Sequence, residues 1–532
     1  MRNMTPETSV YEYAREGLRL SPKKPALWFY GRSICYTQLF ESIDNVANNL
    51  YQMGVRPGTV VTIHLPNCPQ AVMSFYAVAK LGGICNMVHP QIPWKSLQEN
   101  MRFCESEVLI TGDHFPQADL AAESTKLIYV NLYDHMGLGY GLGYLLKNRN
   151  RKPAKSVSFR DLERPCQNPA QLIDQKKLAQ QCVVYLNSSG TSGTPKTVMH
   201  SHVACNNWIE NVTGFFHGSG WKDEVALSVF PLFHGAGLIL DLHRTICGGS
   251  TQVTMTKWNA KQAVKFIRKY RVTLMNAVPL VYQSLLKQKD FCHKTTKYFT
   301  QCFVAGDHVP LELKKIFDVK AGRRTLHEGY GMTEIVTASF ATSQYTDRIE
   351  ASGYPFPNCF IAVVDSEGNL KYSGEGEFVV STNTMMLGYL KEPEATKEAL
   401  FECDHKQWFR TGDYGVIDED GYLYFLDRIK NVIIRNGYNI YPGEIEDVIR
   451  RLDSIQDVSV IGRKQNDING EKICAFVELN VGEHTENIEE QILSICKEYL
   501  PTYSLPHQIF VLDKLPRNRM NKINRVELEA YL

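Results

Sequence analysis

The chain has almost no net charge, no cysteine pair at metal or redox spacing, and no uninterrupted apolar run long enough to span a bilayer. Fifty-eight Lys and Arg against 57 Asp and Glu leave +1 over 532 residues, a balance that excludes a general nucleic-acid binder. The 14 cysteines, among them Cys35, Cys68, Cys182, Cys302 and Cys474, never fall at C-x-x-C spacing. They read as reduced, mostly buried thiols and point to a cytoplasmic protein. The first residues, Met1 to Glu7, lack the apolar core of a secretion signal. A Walker loop is also missing, since no Gly-Lys-Ser/Thr follows a glycine at the required spacing. Internal repeats are absent. What remains is ordinary soluble-protein usage, 44% hydrophobic and 22% charged, in a chain long enough for more than one domain.

Short β-branched runs alternate with helical patterns over the first two thirds. The spacing predicts a strand at 60–65 and a helix at 70–77, then a helix at 261–270 and a strand at 272–275. Such order implies an α/β fold with parallel sheets covered by helices. From about residue 353 the texture changes to strands broken by turns. Runs at 361–364 and 376–380 flank the turn 366–369, so a small antiparallel β unit is expected at about 350–428. Helices at 444–451 and 488–499 with strands at 458–461 and 475–479 make the last hundred residues a compact α+β module. The predicted division is 1–428 and 429–532. One biased segment, Gly137 to Tyr144, precedes the basic cluster 147–152. It reads as a surface excursion beside solvated cations, although such a stretch can make weak peripheral contact with a membrane.

Four motifs carry chemistry. The apolar run 183–186 leads into Asn187, Ser188, Ser189, Gly190, Thr191, Ser192, Gly193, Thr194, Pro195 and Lys196. Glycines let backbone approach a polyphosphate, N–H and O–H groups donate to its oxygens, and an ammonium offsets its charge. The same composition also makes a flexible turn. Second is Tyr330, Gly331, Met332, Thr333 and Glu334, whose carboxylate suits magnesium beside phosphates but alone is an exposed Glu in a turn. Third, Asp413 in a Gly-flanked turn can accept both hydrogens of a ribose diol, and Arg428 can clamp ribose or phosphate. A hairpin with a surface salt bridge has the same pattern. Fourth is the tail 515–525, where Lys522 is the cation of interest among residues that otherwise read as solvated.

Together and in this order, the motifs resemble the adenylate-forming superfamily of acyl-CoA synthetases, peptide-synthetase adenylation domains and beetle luciferases. Further matches lie at 34–39, Pro231 to His234, Gly388 to Leu390, Pro393 to Thr396 and 442–446, so the resemblance spans nearly the whole chain. It implies a large N-terminal domain of two helix-covered, mostly parallel sheets plus a small β unit, followed by a small mobile α+β domain. It also implies two steps: a carboxylate attacks the α-phosphorus of ATP with Mg2+ present, and a thiol then displaces AMP. Carried over by position, Ser188 through Lys196 would cradle the phosphates. Gly306, Asp307, Glu328, Gly329, Tyr330, Gly331 and Met332 would surround the nucleotide, with Tyr330 stacked on adenine. Thr333 would bond the α-phosphate, Glu334 would hold Mg2+, and Asp413 and Arg428 would fix the ribose. Lys522 would bridge the attacking carboxylate and the α-phosphate, and Lys430 would be the hinge. Phe233, His234, Gly235, Gly237, Asn276, Val278 and Thr337 would line the acyl site, with His234 as wall and gate, while Gly437 and Tyr438 would line the thiol channel.

His234 stands where amino-acid adenylation domains place an Asp for the substrate ammonium, so the motif looks instead like that of fatty, aryl or arylalkenoic acid–CoA ligases. Gly235, Ala236 and Gly237 are expected to leave space beside the acyl group. Asn276 and Thr337 hint at a polar group on the acid. Arg244 and His243 can meet a second carboxylate, or serve a surface or interdomain salt bridge. The chain departs from the family pattern at Asn521 and Thr197, which replace glycines, at 305–308, and at Asn431, where Asp is common. Two rival readings share the motifs: loading of a carrier-protein phosphopantetheine, and a silent nucleotide-binding homologue. The expected partners are a small carboxylic acid, ATP and CoA, for a monomer or homodimer.

Overall fold

The computed structural model describes residues 5–532 apart from 116–124, 148–152, 154, 167, 171–172, 189–195, 217–222, 307–308, 344–347, 436–437, 465–469, 481, 483–486 and 518–521. It forms two compact units. The first comprises Met1–Ile349, Gly353–Phe360 and Ser381–Trp408; the second comprises Glu350–Ser352, Ile361–Val380 and Phe409–Leu532.

Two sheets organise the described residues of the first unit. In one, Pro25–Phe29, Val225–Ser228, Thr251–Thr254, Leu274–Ala277, Gln301–Ala305 and Leu326–Gly331 run parallel, with antiparallel strands at both edges. In the other, Val60–Ile63, Ile84–Met87, Val108–Gly112, Lys126–Val130 and Cys182–Asn187 run parallel. Thr197–Ser201 folds back antiparallel on Cys182–Asn187, and Gly388–Tyr389 pairs with it. These are the two mostly parallel sheets that the motif resemblance implied.

Helices form where the pattern predicts them, and local chemistry sets their ends. Pro69–Lys80 starts on a proline, whose missing N–H costs nothing in the first turn, and is buried nearly throughout. Ala260–Tyr270 buries Ala263, Val264, Phe266 and Ile267; the Asn259 side chain accepts from the Gln262 N–H, and Arg271 ends the helix at φ +53°. The Val272 N–H then closes on the Ile267 carbonyl, so the next strand begins at Leu274 rather than 272. Residues 137–144 lie at the surface as expected, with Leu138, Leu142 and Leu146 exposed, and enter a helix, Leu138–Lys147, held by Tyr140 against Tyr30 and by the Tyr144 hydroxyl donating to Asp113. Among the described residues no helix is long and apolar enough to cross a membrane.

In the second unit an antiparallel ribbon pairs Val379 with Arg410 and Asp413 with Arg428. Beyond it, Ile455–Arg463 lies antiparallel to Lys472–Leu479, which runs parallel to Gln508–Leu512. Helices Pro442–Ile449 and Ile488–Tyr499 complete a core that includes Ile445, Ile449, Val458, Val460, Ile473, Val477 and Ile492.

Candidate active site

Ser188 and Lys196 close the neck of a hairpin loop. The Ser188 N–H donates to the Lys196 carbonyl at 2.9 Å, and the Thr197 hydroxyl donates to the Asn187 side chain at 3.0 Å. Thr197, which departs from the family glycine, therefore pins the loop's exit strand to its entry strand. Ser189, Gly190, Thr191, Ser192, Gly193 and Thr194 lie outside the described residues. At the neck, the Lys196 ammonium sits 4.5 Å from the centre of the Tyr389 ring, and the Tyr389 hydroxyl donates to Glu334 Oε1 at 3.0 Å. One phenol thus holds both the loop cation and the candidate metal ligand. Burial and the Glu334 charge push its pKa well above the ordinary value, so it stays a donor.

Glu334 and Thr333 arise from a short turn, Thr333–Ile335, directly after the strand Leu326–Gly331 that carries Glu328, Gly329, Tyr330 and Gly331. Loops at strand carboxyl ends are where α/β sheets bind ligands. The turn is fixed from three sides. His200 Nε2 donates to the Thr333 carbonyl at 2.7 Å, the Met386 N–H to the Glu334 carbonyl at 2.8 Å, and the Thr384 hydroxyl to the Ile335 carbonyl at 3.2 Å. Burial lowers the His200 pKa to about 4, so the neutral ring is the donor at ordinary pH. Val336 follows at φ +74°, a strained conformation for a β-branched residue. Tyr330 packs obliquely on Phe340, with ring centres 5.8 Å apart. The Glu328 carboxylate is engaged by Lys314 at 2.8 Å. Gly306 adopts φ +87° beside Val278, and Asp307 lies outside the described residues.

The second unit supplies the other candidates. Buried Asp413 faces Arg428 across the ribbon, Oδ1 to Nε 3.2 Å, and the Asp413 N–H donates to the Thr411 hydroxyl. Arg428 leads into the turn Ile429–Asn431. There Lys430 has its pKa lowered by burial, then by Arg428 and Arg525. The Asn431 amide donates to Asp427 Oδ1 at 2.9 Å, an interaction that an Asp at this position lacks the proton to make. Tyr438 stacks on Tyr503 at 4.3 Å, and Gly437 lies outside the described residues. Lys522 occupies a partly buried position beside an antiparallel bridge between Arg517 and Ile523, closed also by the Asn524 N–H donating to the Pro516 carbonyl.

In the first unit, Phe233 packs on His89 with ring centres 4.5 Å apart. Asn67 braces this loop, accepting from the Leu232 N–H and donating to the Phe230 carbonyl. His234, partly exposed, accepts from the Ala236 N–H through Nδ1. Backbone packing by itself requires glycine at 235 and 237. A Cβ on Gly235 would lie 2.0 Å from the Val336 carbonyl oxygen, and one on Gly237 2.0 Å from that of Pro231. Both glycines admit backbone. After them the chain enters a π-helical segment, Ala236–His243.

A narrow, largely enclosed pocket lies beyond, walled by Trp208, Phe216, Phe303 and Phe356 and touching Gly329, Ala338, Asn276 and Arg244. Phe233, His234, Val278 and Thr337 are not among its described lining residues. The Asn276 amide donates to Asp241 Oδ1 at 2.7 Å. Burial raises the Asp241 pKa to about 7, against the lowering effect of Asn276 and Arg244. Arg244 is neither a surface nor an interdomain bridge as expected: it forms a buried pair with Glu224 at 2.6 Å inside the first unit. His243 bonds Tyr76 and Asn206, each at 3.1 Å. Sequence reasoning missed Tyr389, His200, Asn67 and Asp241 as site residues. Tyr389 alone left a trace, next to Gly388 in a family-like tripeptide.

The AMP-binding enzyme family matches residues 15–390, and the AMP-binding enzyme C-terminal domain matches 444–522. A long-chain-fatty-acid–CoA ligase of Bacillus subtilis (strain 168) is 28% identical over 524 residues, covering 95% of this chain and 91% of the relative. A 4-coumarate–CoA ligase of Narcissus pseudonarcissus is 26% identical over 537 residues, covering 98% and 93%. Among solved structures, an anthranilate CoA ligase in complex with anthranoyl-AMP shares the fold with a TM-score of 0.84 at 22% identity, covering 100% of this chain and 99% of that one. The o-succinylbenzoate CoA synthetase of Bacillus subtilis in complex with its acyl-adenylate does so at 0.80 and 24%, covering 97% of each. With both family regions present in order over two sheets and an α+β module, the chain belongs to the AMP-binding enzymes, and the relatives it matches are acyl- and aryl-CoA ligases.

Proposed function

We propose that the protein is an ATP-dependent carboxylate–CoA ligase. In the first step a carboxylate oxygen bonds the α-phosphorus of ATP, and the bond from that phosphorus to the β-phosphate oxygen breaks, releasing pyrophosphate. In the second the CoA sulfur bonds the acyl carbon, its proton is lost, and the acyl–phosphate oxygen bond breaks to release AMP. What most supports this reading is the Lys196–Tyr389–Glu334 linkage, which ties a loop cation to a carboxylate at the ends of two sheet strands.

The roles follow from charge. Carboxylate and triphosphate repel, so the first barrier falls when a cation lies between them in the transition state. Lys522 is assigned that task. Loop donors and Lys196 bind the outer phosphates, the Thr333 hydroxyl bonds the α-phosphate, and Asp413 with Arg428 holds the ribose. Glu334 is an oxygen donor of the kind magnesium takes, oriented by one phenol, and the ion when bound would offset charge on the phosphates. Lys430 is the proposed pivot by which residues 429–532 exchange Lys522 for the segment around Gly437 and Tyr438 between steps.

Pyrophosphate release measured across fatty, aryl and arylalkenoic acids, with and without CoA, tests the reading. Thioester formation on CoA, with no preference for a carrier-protein thiol, is the expected result. Release with no acid would overturn it.

A further inference from the structure

We propose that the helix Leu138–Lys147 docks the protein on the surface of an anionic lipid bilayer, its leucine face lying in the interface between headgroups and acyl chains. This does not depend on the ligase reading. One side of the helix is tied to the first unit. Gly141 is buried, Tyr140 packs on Tyr30 with ring centres 5.5 Å apart, and the Tyr144 hydroxyl donates to Asp113 Oδ1 at 3.1 Å. Just before the first turn, the Gly137 N–H donates to the Tyr30 carbonyl at 3.0 Å. A surface helix held in this way ordinarily turns polar side chains outward. This one turns out leucines. Leu138, Leu142 and Leu146 stand four apart, which places them on one face, and they are 96%, 62% and 72% exposed. Leu145 borders them and is also exposed. A single exposed leucine needs no explanation, but four on one face form a continuous apolar surface.

The neighbouring outward positions are Gly139 and Gly143, so none of 138, 139, 142, 143, 145 and 146 carries a polar side chain. A Cβ on either glycine would meet nothing within 4 Å among the described residues. Packing therefore does not require glycine there, and glycine weakens a helix relative to alanine. What it does provide is a low profile beside the leucines, letting the backbone approach a flat surface. Charge selects the occupant. Lys147 ends the helix, and Arg149, Arg151, Lys152 and Lys155 follow in sequence, with no Asp or Glu between Asp134 and Asp161. Against +1 for the whole chain, that is a local concentration of positive charge. An anionic bilayer takes leucines into its interface and draws lysine and arginine to its phosphates. A second copy of the chain would bring like charge to the same face, and a nucleic acid would take the cations but leave the leucines in water. At ten residues the helix lies along the surface and does not cross it.

Co-sedimentation of the full-length protein with vesicles tests this, comparing equal parts phosphatidylcholine and phosphatidylglycerol with phosphatidylcholine alone. Binding to the anionic vesicles is expected, falling about tenfold or more when salt is raised to about 0.5 M and the cations are screened. Leu142→Ser combined with Leu146→Ser changes two exposed side chains, so the urea midpoint should hold while vesicle affinity falls about tenfold or more. Gly143→Glu keeps every leucine, meets no neighbour and sets a carboxylate on the docking face, and it should weaken binding too. No binding of the wild-type protein to anionic vesicles, equal binding to neutral ones, or undiminished binding by the double variant overturns the proposal. A dimer that the double variant dissolves, with no vesicle binding by the wild type, overturns it as well and assigns the face to a second copy. Binding is read without turnover, so failure of the ligase reading would leave this outcome intact.

Discussion

Replacing Tyr389 with Phe removes one oxygen from the centre of the candidate site and leaves the ring in place. The lost contact is the 3.0 Å donation to Glu334 Oε1; the contact kept is the ring face 4.5 Å from the Lys196 ammonium. A hydrogen bond to a charged acceptor contributes ~1.5–3 kcal/mol. Glu334 is partly exposed, so water replaces some of the loss and the low end applies, about 1.5 kcal/mol or roughly tenfold. The expected effect is a roughly tenfold fall in kcat/KM for MgATP in pyrophosphate release. It should hold across neutral pH, because the phenol's raised pKa keeps it protonated there. Tyr389→Ala removes the ring as well, and the cation–π contact adds a further ~0.5–1 kcal/mol. Combined with Glu334→Gln, Tyr389→Phe should cost less than the sum of the two changes, since they share one interaction. Wild-type kinetics for Tyr389→Phe, or strict additivity in the double variant, would refute the idea that this phenol organises the site.

Three further outcomes are expected. Lys522→Ala should lose pyrophosphate release while still transferring CoA onto a supplied acyl-adenylate; equal loss of both half-reactions contradicts separate roles. Gly235→Ala drives a Cβ against the Val336 carbonyl at 2.0 Å, so urea unfolding should show a loss of about 2–3 kcal/mol or more, the cost of overpacking, and an unchanged midpoint counts against it. Acid should destabilise the first unit early: burial lowers the pKa of His64 and His202 to about 3, and of His114, His200 and His327 to about 4. The unfolded chain takes up protons below its ordinary histidine pKa while the folded chain does not, so stability is flat above about pH 6.5 and falls as pH drops toward about 4. Each histidine contributes a slope of up to ~1.4 kcal/mol per pH unit, and a flat urea midpoint between those values would refute it.

Much of the architecture was legible because it follows from periodicity. The helix Ile488–Tyr499 matches its predicted bounds, and the strands at 361–364, 458–461 and 475–479 lie within the observed ones. The boundaries that moved did so through local backbone closure, as at Arg271 and Val272, where a left-handed residue and one N–H delay the strand. The run at 137–144 lies at the surface as its composition suggests, but its helix was not legible. Two tyrosines reaching Tyr30 and Asp113 supply the anchoring that composition cannot show.

The site divides in the same way. Ser188, Lys196, Thr333, Glu334, Asp413 and Arg428 stand in short motifs, so their chemistry is readable from neighbours in sequence. The contacts that orient them are not. Tyr389 lies 55 positions from Glu334, and His200 lies 133 from Thr333. Gly235 and Gly237 have a reason that the sequence did not show: a Cβ at either would meet a carbonyl oxygen at 2.0 Å. Side chains that the sheet brings together from distant strands are further candidates for selectivity. Asn276 and Phe303 stand opposite each other on adjacent parallel strands, and Asp241 joins Asn276 across 35 positions. Exchanging these residues with those of a relative, while leaving Gly235 and Gly237 alone, should therefore move acid preference without touching adenylation itself. Exchanging the glycines should damage folding before it alters preference.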